Sequence, residues 1–429
     1  MKRSKVLALS CVFMGLAHLT VLRQRVKGIL FALVEIAFIA LIPGVIAPKI
    51  VQLVTLGSPQ PDLPVKLRDN SMFMLIDGIT VLAVCLLLAA LYYISIKSAL
   101  LISREIEANG WQKSKGLDLS GTAFPVVALA PTVLLILFFV VVPLVFSACV
   151  AFTNYSTPGN IPPANTVDWV GLDNFVHLFG GDATWTGALG RVALWTVTWA
   201  FLSTITCYFG GMIMAAILSG SKTKIAPVFR TIFILPYAVP SVVSMLVWKN
   251  MLNGAFGVVN RTLMSIGLVS TPIAWLSDPW LAKFTTVMIN LWCGFPYFML
   301  LTLGTMTAIS SDIFEAARID GAGSLQIFRR ITLPLVIYQT APLIVMSFTA
   351  NINNFGAIFF LTGGNPVVAD STVTSAKGTD ILVTWIYNLT INLQKYQYAS
   401  ALAVMIFIVL APFAVFNFRR TKSYKEGEL

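Results

Sequence analysis

The sequence predicts an all-α membrane protein with about eight transmembrane helices, and three observations carry that expectation. Hydrophobic residues make up 57% of the 429-residue chain, 11% is charged and mean hydropathy is +0.83, far from the balance of a soluble domain. Apolar runs recur that are long enough to cross a bilayer, which requires about 20 helical residues. Lys and Arg gather between alternate runs, the bias that membrane insertion imposes.

The first 22 residues, "MKRSKVLALSCVFMGLAHLTVL", join a basic start to an apolar stretch in the manner of a signal peptide. No small-x-small cleavage site follows, and the next residues are the basic "RQRVKG". The expectation is therefore an amphipathic cytoplasmic segment, 1–27, that hugs the membrane. Eight candidate spans come after it, at 28–48, 73–96, 124–152, 187–217, 231–252, 284–306, 336–361 and 399–417.

An even number of spans puts both termini on one side, and the basic residues name that side. The segments sharing the side of the N-terminus hold Lys2, Arg3, Lys5, Arg23, Arg25 and Lys27; Lys97, Arg104, Lys113 and Lys115; Lys222, Lys224 and Arg230; Arg318, Arg329 and Arg330; and Arg419, Arg420, Lys422 and Lys425. The opposite side holds Lys49, Lys66, Arg68, Arg261, Lys283, Lys377 and Lys395. Both termini are expected in the cytoplasm of a bacterial cell. The net charge of +11 thus reflects topology, and no nucleic-acid partner is expected. The five cysteines, Cys11, Cys85, Cys149, Cys207 and Cys293, are scattered and have neither metal spacing nor a disulfide pattern.

Two loops stand out. Residues 153–186 are rich in Pro, Gly and Asn and lack Lys and Arg, as an ordered external loop would. On the inner side, "SSDIFEAARI" offers a serine and an aspartate as a helix start, "DGAG" breaks the helix, and "SLQIFRRI" resumes it until Pro334 opens the next span. This polar elbow of helix, turn and helix, 311–334, has small residues that let another backbone approach closely and charges that can pair with a partner; on these residues alone it is equally a solvated inter-helix loop.

Glu315-Ala316-Ala317, then Gly321, then Ile331-x-Leu333-Pro334 resembles the EAA motif of ABC importer membrane subunits, position for position. The resemblance implies that the elbow docks on a cytoplasmic ATPase. It implies coupling contacts at Glu315, Ala316, Ala317, Asp320, Gly321, Ile331, Leu333 and Pro334. G-x-x-x-x-G-K-[ST] occurs nowhere in the chain, so ATP and its Mg²⁺ would belong to a separate subunit. The only two histidines, His18 and His177, fall on opposite sides of the predicted membrane, and no catalytic constellation accompanies them. No cofactor is expected on this chain.

Polar residues inside spans are costly unless partnered or facing water. In "ILPYAVPSVVS", Tyr237 and Ser241 are spaced to share a helix face, with Pro236 and Pro240 freeing carbonyls beside them. In "NLWCGFPYFM", Trp292, Gly294 and Tyr297 surround a Gly and a Pro expected to loosen the helix. In "SFTANINNFG", Ser347, Asn351 and Asn354 form one polar stripe. Hydroxyls, amides and aromatic faces without fixed charge suit a neutral polyhydroxylated ligand; the plain alternative is hydrogen bonding between helices.

From about residue 124 onward the chain resembles the larger permease subunit of maltose/maltodextrin ABC importers, the MalF type. That resemblance implies a type I importer core of six helices at 123–418, two additional N-terminal helices at 28–122 and a cytoplasmic tail at 419–429. It also implies that Tyr237, Ser241, Trp292, Gly294, Tyr297, Ser347, Asn351 and Asn354 contact the sugar. The implied partners are a second homologous permease, an ATPase dimer and an extracytoplasmic sugar-binding protein. Some members carry a large folded domain between the third and fourth spans; loop 153–186 is too short for one, which suits a membrane-tethered binding protein such as those of Gram-positive bacteria. Galacto- or arabino-oligosaccharides are alternative cargoes. An ion-coupled secondary transporter is a distant alternative, because the acids in the spans, Glu35 and Asp77, lie outside the six-helix core.

Overall fold

The computed structural model describes residues 3–109, 124–220 and 226–420. The expected tail from 421 onward, and the basic residues at 2, 113, 115, 222, 224, 422 and 425, lie outside the described residues. Within them the chain is helical and has no strand; its extended contacts are two isolated bridges, Thr153–Trp169 and Ser156–Asn160. It divides into two compact units, Met1–Gly171 and Leu172–Leu429. The third span, which the resemblance counts in the importer core, shares the first unit with the two additional spans.

In the first unit, α1 (Arg3–Val12) and α2 (Leu16–Thr20) precede α3 (Arg25–Thr55), α4 (Ser71–Asn109) and α5 (Ala128–Val150). Helix α3 accommodates Pro43 in a wider π turn at Ile42–Ile46 and carries Pro48 at the start of the α-helical stretch that follows. It meets α4 closely at Gly78, where a Cβ would come within 2.5 Å of Leu53, and a Lys49–Asp77 ion pair of 2.7 Å joins the two helices. With 39 residues, α4 is about 58 Å long, well beyond the hydrocarbon thickness of a bilayer. The N-terminal segment occupies part of the surplus: Val6, Ala17 and Leu22 pack with Ala99 of α4, and Tyr92 donates to the Cys11 carbonyl at 3.1 Å.

The second unit is built on α6 (Ala183–Gly220) and α9 (Pro279–Thr307). Gly211 allows their backbones to touch, since a Cβ there would lie 2.5 Å from the Met299 nitrogen. Around it, Cys207, Tyr208 and Met212 of α6 pack with Phe298, Met299, Leu303 and Met306 of α9.

The fifth predicted span, 231–252, is not one helix. It forms α7 (Ala226–Ala238) and α8 (Ser241–Met251), bent by 90°. Pro240 supplies no N–H and excludes helical geometry from the residue before it, so the ladder stops at Val239. Among the described residues there are therefore seven helices long and apolar enough to cross a membrane, or eight with this broken pair counted as one span. The sequence also misplaces the seventh span. Beyond α10 (Ser311–Ile319), α11 runs from Ser324 to Ile352 and passes Pro334 without a break, by way of a π turn at Phe328–Thr332. The helix therefore begins at Ser324, upstream of Pro334. A separate α12 (Phe355–Leu361) follows, then α13 (Leu382–Ile391) and α14 (Tyr396–Arg420).

Candidate functional site

The elbow is built as its sequence suggests. The Ser310 hydroxyl caps α10 by accepting from the Asp312 N–H at 3.3 Å. The helix closes when Gly321 takes φ +80° and the Ala322 N–H donates to the Ala317 carbonyl at 2.9 Å. A Cβ on Gly321 would meet nothing within 4 Å, so glycine serves the left-handed backbone rather than close packing.

Burial divides the motif residues into two sets. Glu315, Ala316, Asp320 and Gly321 are exposed. Ala317, Ile331 and Leu333 are half-buried, and Leu333 packs with Phe314 and Phe328 against the core shared by α6, α9 and α11. Pro334 is exposed on the side of α11. Two apolar side chains that the motif does not name are also strongly exposed on the elbow: Ile319 is 86% exposed and Leu325 69%. A bulky aliphatic residue beside the turn glycine was the available sequence signal for both.

The polar stretches assemble differently from their spacing. Tyr237 ends α7 and Ser241 begins α8, so the bend at Pro240 separates two residues expected on one helix face. Tyr237 turns to Tyr297 of α9, with ring centroids 6.1 Å apart. Trp292 of α9 meets Trp248 of α8 edge to face at 5.5 Å. Both pairs keep free surface, with Tyr237 53% and Trp292 and Tyr297 39% exposed. Trp248 lies on the same broken span, eight residues beyond Pro240.

Gly294 does not loosen α9, which is continuous through Pro296. Its lack of a side chain admits Cys207, whose Sγ would sit 2.8 Å from a Cβ at this position. The third stripe is interrupted as well. Ser347 and Asn351 belong to α11, but Asn354 caps α12, its side-chain oxygen accepting from the Ala357 N–H at 3.2 Å. Asn354 still donates to the Asn351 side chain at 3.4 Å. Asn351 donates to buried Thr204 at 3.1 Å, and its carbonyl accepts from Trp199 at 3.1 Å. Among the described residues, no hydrogen bond or ring contact joins these asparagines to the aromatic pairs.

Loop 362–381 forms a hydrogen-bonded knot that sequence reading passed over. Arg191 of α6 donates to both Asp370 oxygens at 2.8 Å and to the Lys377 and Ala376 carbonyls. Asp380 accepts from the Lys377 N–H, Thr384 and Asn388 at 2.8, 2.8 and 3.1 Å. Burial pushes its carboxyl above the ordinary carboxylate range, against the opposing pull of those donors. The histidines are structural in setting: His177 stacks on Tyr398 at 5.1 Å, and burial followed by the Lys27 charge holds His18 down at about 4. No group of three or more His, Cys, Asp or Glu poised for a metal occurs among the described residues.

Residues 208–421 match the model of the family described as Binding-protein-dependent transport system inner membrane component, a window that contains the elbow and all three polar stretches. The chain is 34% identical over 407 residues to the Galactooligosaccharides transport system permease protein GanP of Bacillus subtilis (strain 168), with 94% of each chain covered. It is 33% identical over 414 residues to the Maltodextrin transport system permease protein MalC of Streptococcus pneumoniae serotype 4, covering 94% of this chain and 92% of that one. Among solved structures it resembles a chain of a bacterial ABC transporter involved in the import of the acidic polysaccharide alginate, with TM-score 0.55 and 24% identity over 71% of this chain and 98% of that chain; this likeness concerns the fold.

Proposed function

Because this chain belongs to the family of inner membrane components of binding-protein-dependent transport systems, we propose that it is a permease subunit of an ATP-driven importer of maltose and malto-oligosaccharides. It is a multi-pass membrane protein with both termini in the cytoplasm. It makes and breaks no bond: a separate ATPase dimer uses ATP and Mg²⁺, and an extracytoplasmic binding protein delivers the sugar. A second homologous permease supplies the other half of the path.

The observation that carries this reading is the elbow, which holds Glu315, Ala316, Ile319, Asp320 and Gly321 outward while Phe314 and Phe328 anchor it in the core. Such an element transmits motion, because a partner pushing on the exposed face moves α11 and the helices packed with it. Transport then proceeds by alternating access, with ATP-driven closure of the ATPase pair turning the path outward. The uncharged rings and amides of Tyr237, Ser241, Trp292, Tyr297, Ser347, Asn351 and Asn354 support a neutral sugar, with Gly294 setting how closely α6 approaches.

A second reading, galacto-oligosaccharide as cargo, is favoured by the similarity to GanP. The test is ATPase activity of the reconstituted complex with its binding protein, across maltodextrins, galacto-oligosaccharides and arabino-oligosaccharides. Stimulation by maltodextrins alone supports the proposal. Stimulation by another series keeps the machine and replaces its cargo, and stimulation by none refutes the sugar reading.

A further inference from the structure

Within the first unit, the loop between α3 and α4 and the loop after α5 enclose a depression of about 400 Å³. Small-ligand sites run from roughly 300 to 1,000 Å³. The walls are tied together by their own polar groups. Arg68 donates to the carbonyls of Leu63 at 2.8 Å and Pro61 at 2.9 Å in one loop, and to that of Ala164 at 3.3 Å in the other. The Gln60 side chain accepts from the Asp69 N–H at 3.0 Å, and Asp69 accepts from the Ser58 N–H at 3.2 Å. Asn165 donates to the Gly159 carbonyl at 2.7 Å. A ligand would meet a shape already set, without having to order the loops.

Charge narrows the class of ligand. The Arg68 guanidinium keeps its charge but is turned to backbone carbonyls, and the carboxylates of Asp69 and Asp168 outnumber it in the lining and have acceptors to spare. An anion is disfavoured there. A neutral polyol is suited, because adjacent hydroxyls donate to a carboxylate in charge-assisted hydrogen bonds. The Ser58 and Thr166 hydroxyls add further partners, and the ring of Pro163 offers an apolar wall for a C–H face. We infer that this depression is a second sugar subsite, built by the first unit alone, that holds a neutral oligosaccharide at the outer face. The inference rests on the reading of the chain as an oligosaccharide permease with these loops outside.

The test uses the whole reconstituted complex in its resting state, without binding protein. Equilibrium binding of maltoheptaose, and of a galacto-oligosaccharide of equal length, is compared with Asp168→Asn and Gly159→Phe. Gly159 lines the depression and a Cβ there meets nothing within 4 Å, so a side chain can be introduced at this position without a backbone clash. Both variants should weaken binding by about tenfold or more, the scale of a lost charge-assisted hydrogen bond, while uptake from saturating loaded binding protein continues. Unchanged binding in both variants overturns the inference, as does uptake by a wild type whose resting complex binds neither sugar. If Gly159→Phe weakens docking of the binding protein instead, the depression seats that protein and the inference fails. Absence of uptake with either sugar series removes the underlying reading and the inference with it.

Discussion

Ile319 is 86% exposed at the end of α10, where it has little to hold in the isolated chain. In an assembled importer the same side chain would be buried against the ATPase. Ile319→Ala removes three carbons; at about 0.8 kcal/mol for each, scaled by the exposed fraction, the loss is about 2 kcal/mol. At 1.4 kcal/mol per tenfold, affinity for the ATPase dimer should fall about 30-fold. Titration of the purified ATPase onto the permease in detergent or nanodiscs reads this directly. Thermal unfolding of the isolated permease should stay close to wild type, since the removed carbons contact solvent. An affinity within twofold of wild type, with unfolding also unchanged, would refute the argument that Ile319 is a docking peg.

Gly321→Ala forces a Cβ into the left-handed backbone at a cost of about 1 kcal/mol; sugar-stimulated ATPase should drop while the amount of permease in the membrane holds, and normal stimulation counts against a conformational role for the turn. Trp292→Ala combined with Asn351→Ala should abolish sugar uptake with assembly intact. It should also lower the unfolding temperature modestly, because Thr204 loses its amide partner; full uptake would reduce these side chains to packing. Arg191→Met leaves Asp370 unpaired, and with both side chains partly exposed the expected loss is about 2 kcal/mol, below that of a fully buried pair; Asp370→Asn in addition should recover part of it. Asp380 has a raised carboxyl pKa, so the folded protein retains that proton to higher pH than the unfolded chain. Its contribution to stability is therefore lost as pH rises from about 4, the ordinary carboxylate value, through the raised folded pKa; Asp380→Asn should flatten this part of the pH profile of the unfolding temperature, and an unchanged profile rejects it.

Apolar run length made most of the helices legible, because a bilayer leaves few alternatives to a helix of the necessary length. Run length could not register the break at Pro240, since Tyr237 and Ser241 remain inside one apolar window whether or not the helix continues. It also divided α11 in two: "SLQIFRRI" reads as a helix that Pro334 separates from the next span, yet a helix can leave the membrane and continue in water without a change of backbone. The elbow was legible because its signals are local, a capping serine, a glycine and a following helix. The partners of the polar stripes were not, since Thr204 and Trp199 precede Asn351 by well over a hundred residues and neither advertises a partner in its own helix.

The break at Pro240 bears on the sugar path independently of any motif. Non-helical backbone at membrane depth is tolerated where protein buries it or where it lines a water-filled cavity. Tyr237, Val239, Ser241, Val242 and Val243 are exposed rather than buried in this unit, so burial within the chain does not account for the break. The two aromatic pairs linking α7 and α8 to α9 keep exposed ring surface at the same place. Polar backbone beside half-exposed rings is what a sugar with hydroxyl edges and C–H faces can use. The same bend also removes one straight ladder of hydrogen bonds, so α7 and α8 can change their mutual angle without breaking a helix. In the alternating-access mechanism proposed above, the break at Pro240 would serve as such a joint.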